Sequence, residues 1–485
     1  MRKNKLFPIC LTTSLAVFLG LAWLASTGRA GAALNSSLPV YEMALKPGGK
    51  AFEINLDGLG RLWVSDYDAG EVWELDPVSR VYTRYAGLGY PGDARPDGNG
   101  SVWYADAAGG NLGQLSLDTG TLTKWVAAGS DGLYATQVDG AGNVWATSWS
   151  HPLLFRFDPV SQEICAYEIP STSASKYLEA DGQLIWLADD AGKSIFRLDP
   201  ALDEYTLWEL PSAGWPFGLD LDQAKNLWWA DSNLGAINRL EADLDLLTTF
   251  DLPITSNPAM LDASTSEIRF SDDLTGTIGS LSIASATGIT TTLTSSLQPV
   301  APTCNPIEPL STTPVTLTTG VMAFTPASYA SLVDSAGWKI WQVPDNGVPY
   351  GVRVSGKSTW VVDYFRQKLI WQFSGAVVSA CKLADEDGDI DTTGDQTPVK
   401  DWRVYLKVDG VRQEPGELTS AAGCYTWLDL DSGHTYAVEE ELPDGWTALT
   451  PTENNFGPAA EGQLYSYTFV NHQVTRYIYL PVVIR

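Results

Sequence analysis

A tryptophan preceded by an apolar residue and a short Gly or polar turn returns along this chain at a nearly constant interval. It stands in Gly60-Arg61-Leu62-Trp63, Gly100-Ser101-Val102-Trp103, Gly142-Asn143-Val144-Trp145, Leu184-Ile185-Trp186, Asn226-Leu227-Trp228 and Ser358-Thr359-Trp360. Glu267-Ile268-Arg269 fills the same place with Arg for Trp, and from Trp63 to Arg269 the steps are 40, 42, 41, 42 and 41 residues. A repeat of that length is one blade of a β-propeller, a unit too small to bury its own apolar face unless it stacks on its neighbours.

Each unit reads as four strands bounded by Gly, Asp and Pro turns. The first strand ends in Asp (Asp57, Asp97, Asp139, Asp181, Asp222, Asp262), the second carries the Trp, the third runs into a turn such as Leu75-Asp76-Pro77, and the fourth resembles Tyr205-Thr206-Leu207-Trp208-Glu209. Between Arg269 and Trp360 there is room for two units, with Gly320-Val321-Met322 as a worn anchor, so eight blades are expected; seven is the alternative if residues 300–335 form a loop. The last unit stops near Phe373 after three strands, and Val40-Tyr41-Glu42-Met43-Ala44-Leu45 is expected to supply its fourth strand and close the ring.

The units resemble those of the virginiamycin B (streptogramin) lyase family over roughly residues 40–374. That resemblance implies a propeller with a tunnel-mouth magnesium ion and catalytic histidines. The chain has His151, His434 and His472, and only His151 lies in the propeller, so a two-histidine site cannot be assembled and no catalytic residue carries over. Asp66, Asp106, Asp189, Asp231, Asp272 and Asp363 recur in nearly every unit and are expected to serve the unit by accepting turn hydrogen bonds. Function should sit where units differ. Two residues before the first strand's Asp stand Asn55, Arg95, Gln137, Glu179, Asp220 and Met260, with Arg353 in the last unit. Strand alternation puts them on one face, expected to line the central tunnel and bind a ligand. His151 is a further candidate there.

Residues 375–475 change character. Cys381-Lys382-Leu383-Ala384-Asp385, Trp402-Arg403-Val404-Tyr405-Leu406 and Gly423-Cys424-Tyr425-Thr426-Trp427 resemble the Cna-B-like and Sdr-type domains of bacterial surfaces, implying a small β-sandwich that acts as a spacer. Some such domains carry Lys–Asn isopeptide bonds; none is assigned here, because a Cys381–Cys424 disulfide would stiffen the module equally. Asp385, Asp387, Asp389, Asp391 and Asp395 alternate like the oxygen ligands of a calcium loop. Cys165 and Cys304 lie in distant repeats and are expected to stay unpaired.

Residues 1–32 read as a signal peptide, with basic Arg2, Lys3 and Lys5, an apolar stretch and the Ala30-Gly31-Ala32 cleavage site. Residues 33–374 are the expected propeller and 476–485 a short apolar tail. Nothing after the leader is long and apolar enough to be a transmembrane segment. Removing the leader takes the formal charge from −28 to −32, which disfavours nucleic acid as a partner. The expected protein is an all-β, secreted or cell-surface monomer that binds a small molecule, glycan or surface protein without catalysis. The alternatives are a metal-dependent lyase or lactone hydrolase and a structural envelope component.

Overall fold

A computed structural model describes residues 37–127, 132–148, 150–171, 174–189, 193–211, 214–264 and 266–474. The expected signal peptide and the tail at 476–485 lie outside them. The described residues are all-β apart from 3₁₀ turns at Ala242–Leu244 and Thr393–Asp395.

The blade follows from its Asp and Trp. In the first blade Asp57 Oδ1 accepts the Leu59 and Arg61 amides at 2.9 and 3.0 Å, folding the turn, while Oδ2 accepts Trp63 Nε1 at 3.1 Å. Asp97, Asp139 and Asp222 hold Trp103, Trp145 and Trp228 in the same way. Each indole thus buries its apolar body between sheets with its N–H satisfied, and all are at most 1% exposed. The recurring second-strand Asp ties the following loops: Asp66 accepts the Lys50 and Ala69 amides, and Asp231 those of Trp215 and Leu234. The approach is so close that a Cβ on Gly49 would lie 2.0 Å from the Asp66 carboxylate, and one on Gly214 2.1 Å from that of Asp231.

Seven blades, not eight, are formed by the described residues. Their innermost strands are Ala51–Leu56, Pro91–Pro96, Leu133–Val138, Ser175–Asp181, Pro216–Leu221, Pro258–Ala263 and Pro349–Ser355. Each packs against the next, and the last against the first. Ser37–Ala44 is the fourth strand of blade 7, with Tyr41 opposite Trp371 and Ala44 opposite Lys368, so the ring closes as expected. Its Glu42 carboxylate takes hydrogen bonds from Tyr329, Arg366 and Lys368.

The segment expected to make an eighth blade instead forms a belt. It leaves blade 6 after that blade's third strand, Thr277–Ser282, and returns as its fourth, Trp338–Gln342. In between, Ile289–Thr292, Ser295–Pro299, Thr303–Pro306, Ser311–Pro314 and Thr316–Val321 add a fifth strand to blades 5, 4, 3, 2 and 1 in turn. Thr325–Ser335 then bridges blade 6 to the closing strand of blade 7. After each rim strand the amide of Leu293, Val300, Ile307, Val315 or Met322 donates to the tight-turn carbonyl of Asp245, Asp203, Gln162, Gly120 or Arg80. These anchors are seven or eight residues apart. Cys304 of the belt faces Cys165 of blade 3 and is bonded to it, which corrects the expectation of two free thiols: residues distant in sequence are strand neighbours here.

The C-terminal sandwich has two sheets. One centres on Ala376–Asp385, flanked by Cys424–Leu430 and, in parallel, by Gln463–Gln473; the other centres on Arg403–Val408 and Thr435–Glu440. Trp402, Val404, Leu406, Val438 and Phe469 fill the space between, and Cys381–Cys424 joins two strands of the first sheet. The sandwich is bonded to the ring. Ser420 Oγ and the Thr426 amide donate to the Ser79 and Val78 carbonyls of blade 1 at 2.7 and 2.9 Å, and the Leu464 amide donates to Tyr41 Oη of the closing strand at 2.7 Å.

Candidate functional site

The strand register defines which residues face the lumen at one level. The partner of the second-strand Trp is Asn55 in blade 1, then Arg95, Gln137, Glu179 and Asp220, and Arg353 in blade 7. In blade 6 the equivalent partner of Arg269 is Asp262, whereas Met260 pairs with Ser271 nearer the strand's start. Met260, expected at this slot, is therefore displaced by Asp262: the strand Pro258–Ala263 is followed by Ser264 where Asp57, Asp97 and Asp139 stand in other blades, so Asp262 resembles the strand-ending Asp while occupying the slot itself. Every innermost strand also carries a register shift in its first half. Such bulges re-aim side chains: Phe52, Tyr134 and Tyr350, each three residues before its strand's slot residue, meet across the lumen although strict alternation would turn them away from it.

The slot residues and Asp93 form one network. Arg353 Nη2 donates to Asn55 Oδ1 at 3.0 Å, and Asn55 Nδ2 donates to Asp93 Oδ1 at 2.7 Å. Arg95 Nε donates to Asp93 Oδ2 at 3.2 Å, and its Nη2 lies 3.9 Å from Glu179 Oε2. Gln137 Nε2 donates to Glu179 Oε1 at 2.6 Å. Asp220 accepts the Leu221 and Ala263 amides at 2.8 and 2.6 Å. Glu53, unforeseen in the sequence, is 2% exposed; the nearby Tyr177 hydroxyl opposes the effect of its burial, but no donor meets its oxygens in hydrogen-bonding geometry among the described residues.

Above this network the lumen is shut. The hydroxyls of Tyr134, Tyr177 and Tyr350, from blades 3, 4 and 7, meet across it at 3.0, 3.2 and 2.7 Å. Phe52 stacks on Tyr350, and Phe217 lies edge-on to Tyr177.

Burial, with the Asp93 charge added, pushes Glu53 up to about 8 against the opposing pull of Arg353 and Arg95. Burial likewise lifts Glu179 to about 7, opposed by Arg95, and Asp262 to about 7, reinforced by Asp220. Carboxyls held there can donate as well as accept hydrogen bonds near neutral pH.

His151 does not join them. Leu133 pairs with Ser148 and Val138 with Val144, so His151, just beyond Ser148, sits at the opposite end of blade 3 from Gln137. Its Nδ1 lies 2.9 Å from Ser150 Oγ. In the acidic loop Asp385, Asp387 and Asp395 gather their oxygens within 4.8 Å of one another. Asp389 and Asp391 stand outside that group; Asp389 Oδ1 accepts the Asp391 amide at 3.1 Å. The sandwich also buries a polar cluster missed in the sequence. Lys382 Nζ and Asn471 Nδ2 converge on Glu440 Oε2 at 2.9 and 3.1 Å, with the Lys382 and Glu440 side chains fully buried and Asn471 0% exposed. Burial lowers Lys382 to about 8, although Glu440 opposes the shift.

A ring of seven blades, plugged by tyrosines and lined beneath them by carboxylates and arginines, defines a closed-channel β-propeller. In fold it is similar to virginiamycin B lyase from Staphylococcus aureus. A catalytically inactive variant of that enzyme, solved with quinupristin, superposes with a TM-score of 0.52 at 16% identity, over 68% of this chain and 98% of that one. A streptogramin B lyase structure gives 0.53 at 16% identity, over 69% and 97%. The likeness is one of fold. The sequence matches no protein-family model and no curated protein.

Proposed function

We propose that this is a secreted or cell-surface propeller protein that binds a small polar ligand in its channel and does not transform it. The carrying observation is the convergence of Asn55, Arg95, Gln137, Glu179, Asp220, Asp262 and Arg353 on one lumen, while His151 lies at the other end of its blade. Function placed where repeats differ fits a binding site better than a structural ring. Calorimetry of the full chain against small polar metabolites and glycans should find a ligand whose affinity falls at least about tenfold in Glu179→Gln, the loss expected for a hydrogen bond to a charged group. Opening of a streptogramin lactone by the wild-type chain would favour the lyase reading instead, and the absence of any ligand an envelope component.

For the sandwich, the Lys382–Glu440–Asn471 cluster supports the Cna-B-like reading and an internal cross-link. The neutral Lys382 amine would attack the Asn471 side-chain carbonyl, forming a C–N bond and expelling ammonia. Glu440 would take the lysine proton and pass it to the leaving nitrogen. Intact-mass spectrometry should show the loss of one ammonia, abolished in Lys382→Ala; an uncross-linked mass would leave only a buried ion pair. Asp385, Asp387 and Asp395 support a calcium site in the same module. Calcium should raise the melting temperature of the wild-type chain and not that of Asp387→Asn, and an equal response of both would remove the site.

A further inference from the structure

Five carboxylates and two guanidiniums share the channel: Glu53, Asp93, Glu179, Asp220 and Asp262 against Arg95 and Arg353. Both cations are committed. Arg353 spans the Val352 carbonyl and Asn55 Oδ1, and Arg95 bridges Asp93 toward Glu179. Glu53 remains, 2% exposed and with no donor in hydrogen-bonding geometry; the Tyr177 hydroxyl beside it is engaged with Tyr134 and Tyr350. It also faces the tyrosine plug, since its charge acts on Tyr134, Tyr177 and Tyr350. A buried carboxyl with no donor is costly to keep, more so with further carboxylates beside it.

We propose that the channel takes a positively charged organic group, a primary ammonium or a guanidinium, seated against Glu53 beneath the tyrosine plug and flanked by Glu179, Asp220 and Asp262. This rests on the reading of the channel as a ligand site and names the chemistry of the ligand. N–H donors on a cation satisfy Glu53 and take the place of the proton that burial otherwise holds on it. A hard metal ion fits less well, because it draws several oxygens to one point. Among the described residues no three channel carboxylates bring their oxygens within 4.8 Å of one another; the sets that do so lie in the acidic loop and at Glu163 with the Cys165–Cys304 pair. Forked or multiple N–H donors reach separated acceptors.

The experiment is calorimetric titration of the full chain with agmatine, which carries both cationic groups, beside glucose and calcium chloride as neutral and metal probes. Agmatine is expected to bind one per chain, with affinity reduced at least about tenfold in Glu53→Gln and unchanged in Glu461→Gln on the sandwich surface. Should Glu53→Gln fail to fold, Asp262→Asn, at another carboxyl flanking the same seat, gives the same reading. Agmatine binding that neither variant weakens overturns the proposal, as does calcium bound in the channel and lost in Glu53→Gln. A neutral ligand lost in Glu179→Gln, with no agmatine binding, overturns the cation and leaves the channel as a ligand site. If no probe and no screened ligand binds, the channel reading falls with it.

Discussion

A carboxyl group kept from water gives up its proton late, and the channel holds several in that condition. Glu53 moves from an ordinary 4.5 to about 8, first by burial, then by the Asp93 charge. A folded-state value above the unfolded one means the native state binds more protons than the unfolded chain between those values. The stability this supplies is complete below the unfolded value and is lost as pH rises through the folded one. The melting temperature should therefore fall between about pH 5 and about pH 9, with Glu53 accounting for at most about 4 kcal/mol of the loss. General repulsion in so acidic a chain acts in the same direction, so the informative quantity is the difference from Glu53→Gln. Melts across that range should show a shallower slope in the variant; parallel slopes would mean that Glu53 ionises normally. The six slot residues read from the sequence were found by period-two alternation. Glu53 and Asp93, two residues before Asn55 and Arg95, lie on the same alternating face and were legible in principle, but one position per blade does not reach them; Asp262 was hidden because Ser264 stands two residues after it where Asp57, Asp97 and Asp139 stand in other blades.

Among the elements, the belt was the least legible. Its strands are short, Thr-rich and mostly exposed, and they pair with partners 40 to 240 residues away, so no local alternation marks them. What does mark them is the spacing of Leu293, Val300, Ile307, Val315 and Met322, and seven extended residues span roughly 23–25 Å. The Cys165–Cys304 bond, closing a sequence separation of 139 residues, clamps the belt at blade 3. A loop of that size corresponds to roughly 5 kcal/mol in the chain-entropy account, with most removals costing about 2–5 kcal/mol. In Cys165→Ser/Cys304→Ser the belt should loosen before the blades, since its strands lie outermost. Hydrogen exchange should accelerate across 289–321 with the innermost strands still protected. Unchanged exchange there would show that the rim pairing alone holds the belt.

At the scale of the whole molecule, propeller and sandwich were legible from the Trp period and from the change in pattern after Phe373. Blade number was not, because a unit's worth of residues had been spent around the ring instead of within it. The sandwich was expected as a spacer, yet it grips blade 1 through Val78 and Ser79 and the closing strand through Tyr41. Both grips lie beside the seam where the two ends of the ring meet.

The belt also reverses time. Blades 1 to 5 are synthesised in that order, but the belt reaches them as 5, 4, 3, 2, 1, and only afterwards arrives at the strand made before any of them. The blade that has waited longest is thus among the last to receive its outer strand. The opening strand, earliest of the described strands to be made, has no partner until the belt's last strand, Thr325–Ser335, emerges, and its blade 7 partner, Lys368–Phe373, comes later still. A chain interrupted anywhere before Phe373 is left with an open ring.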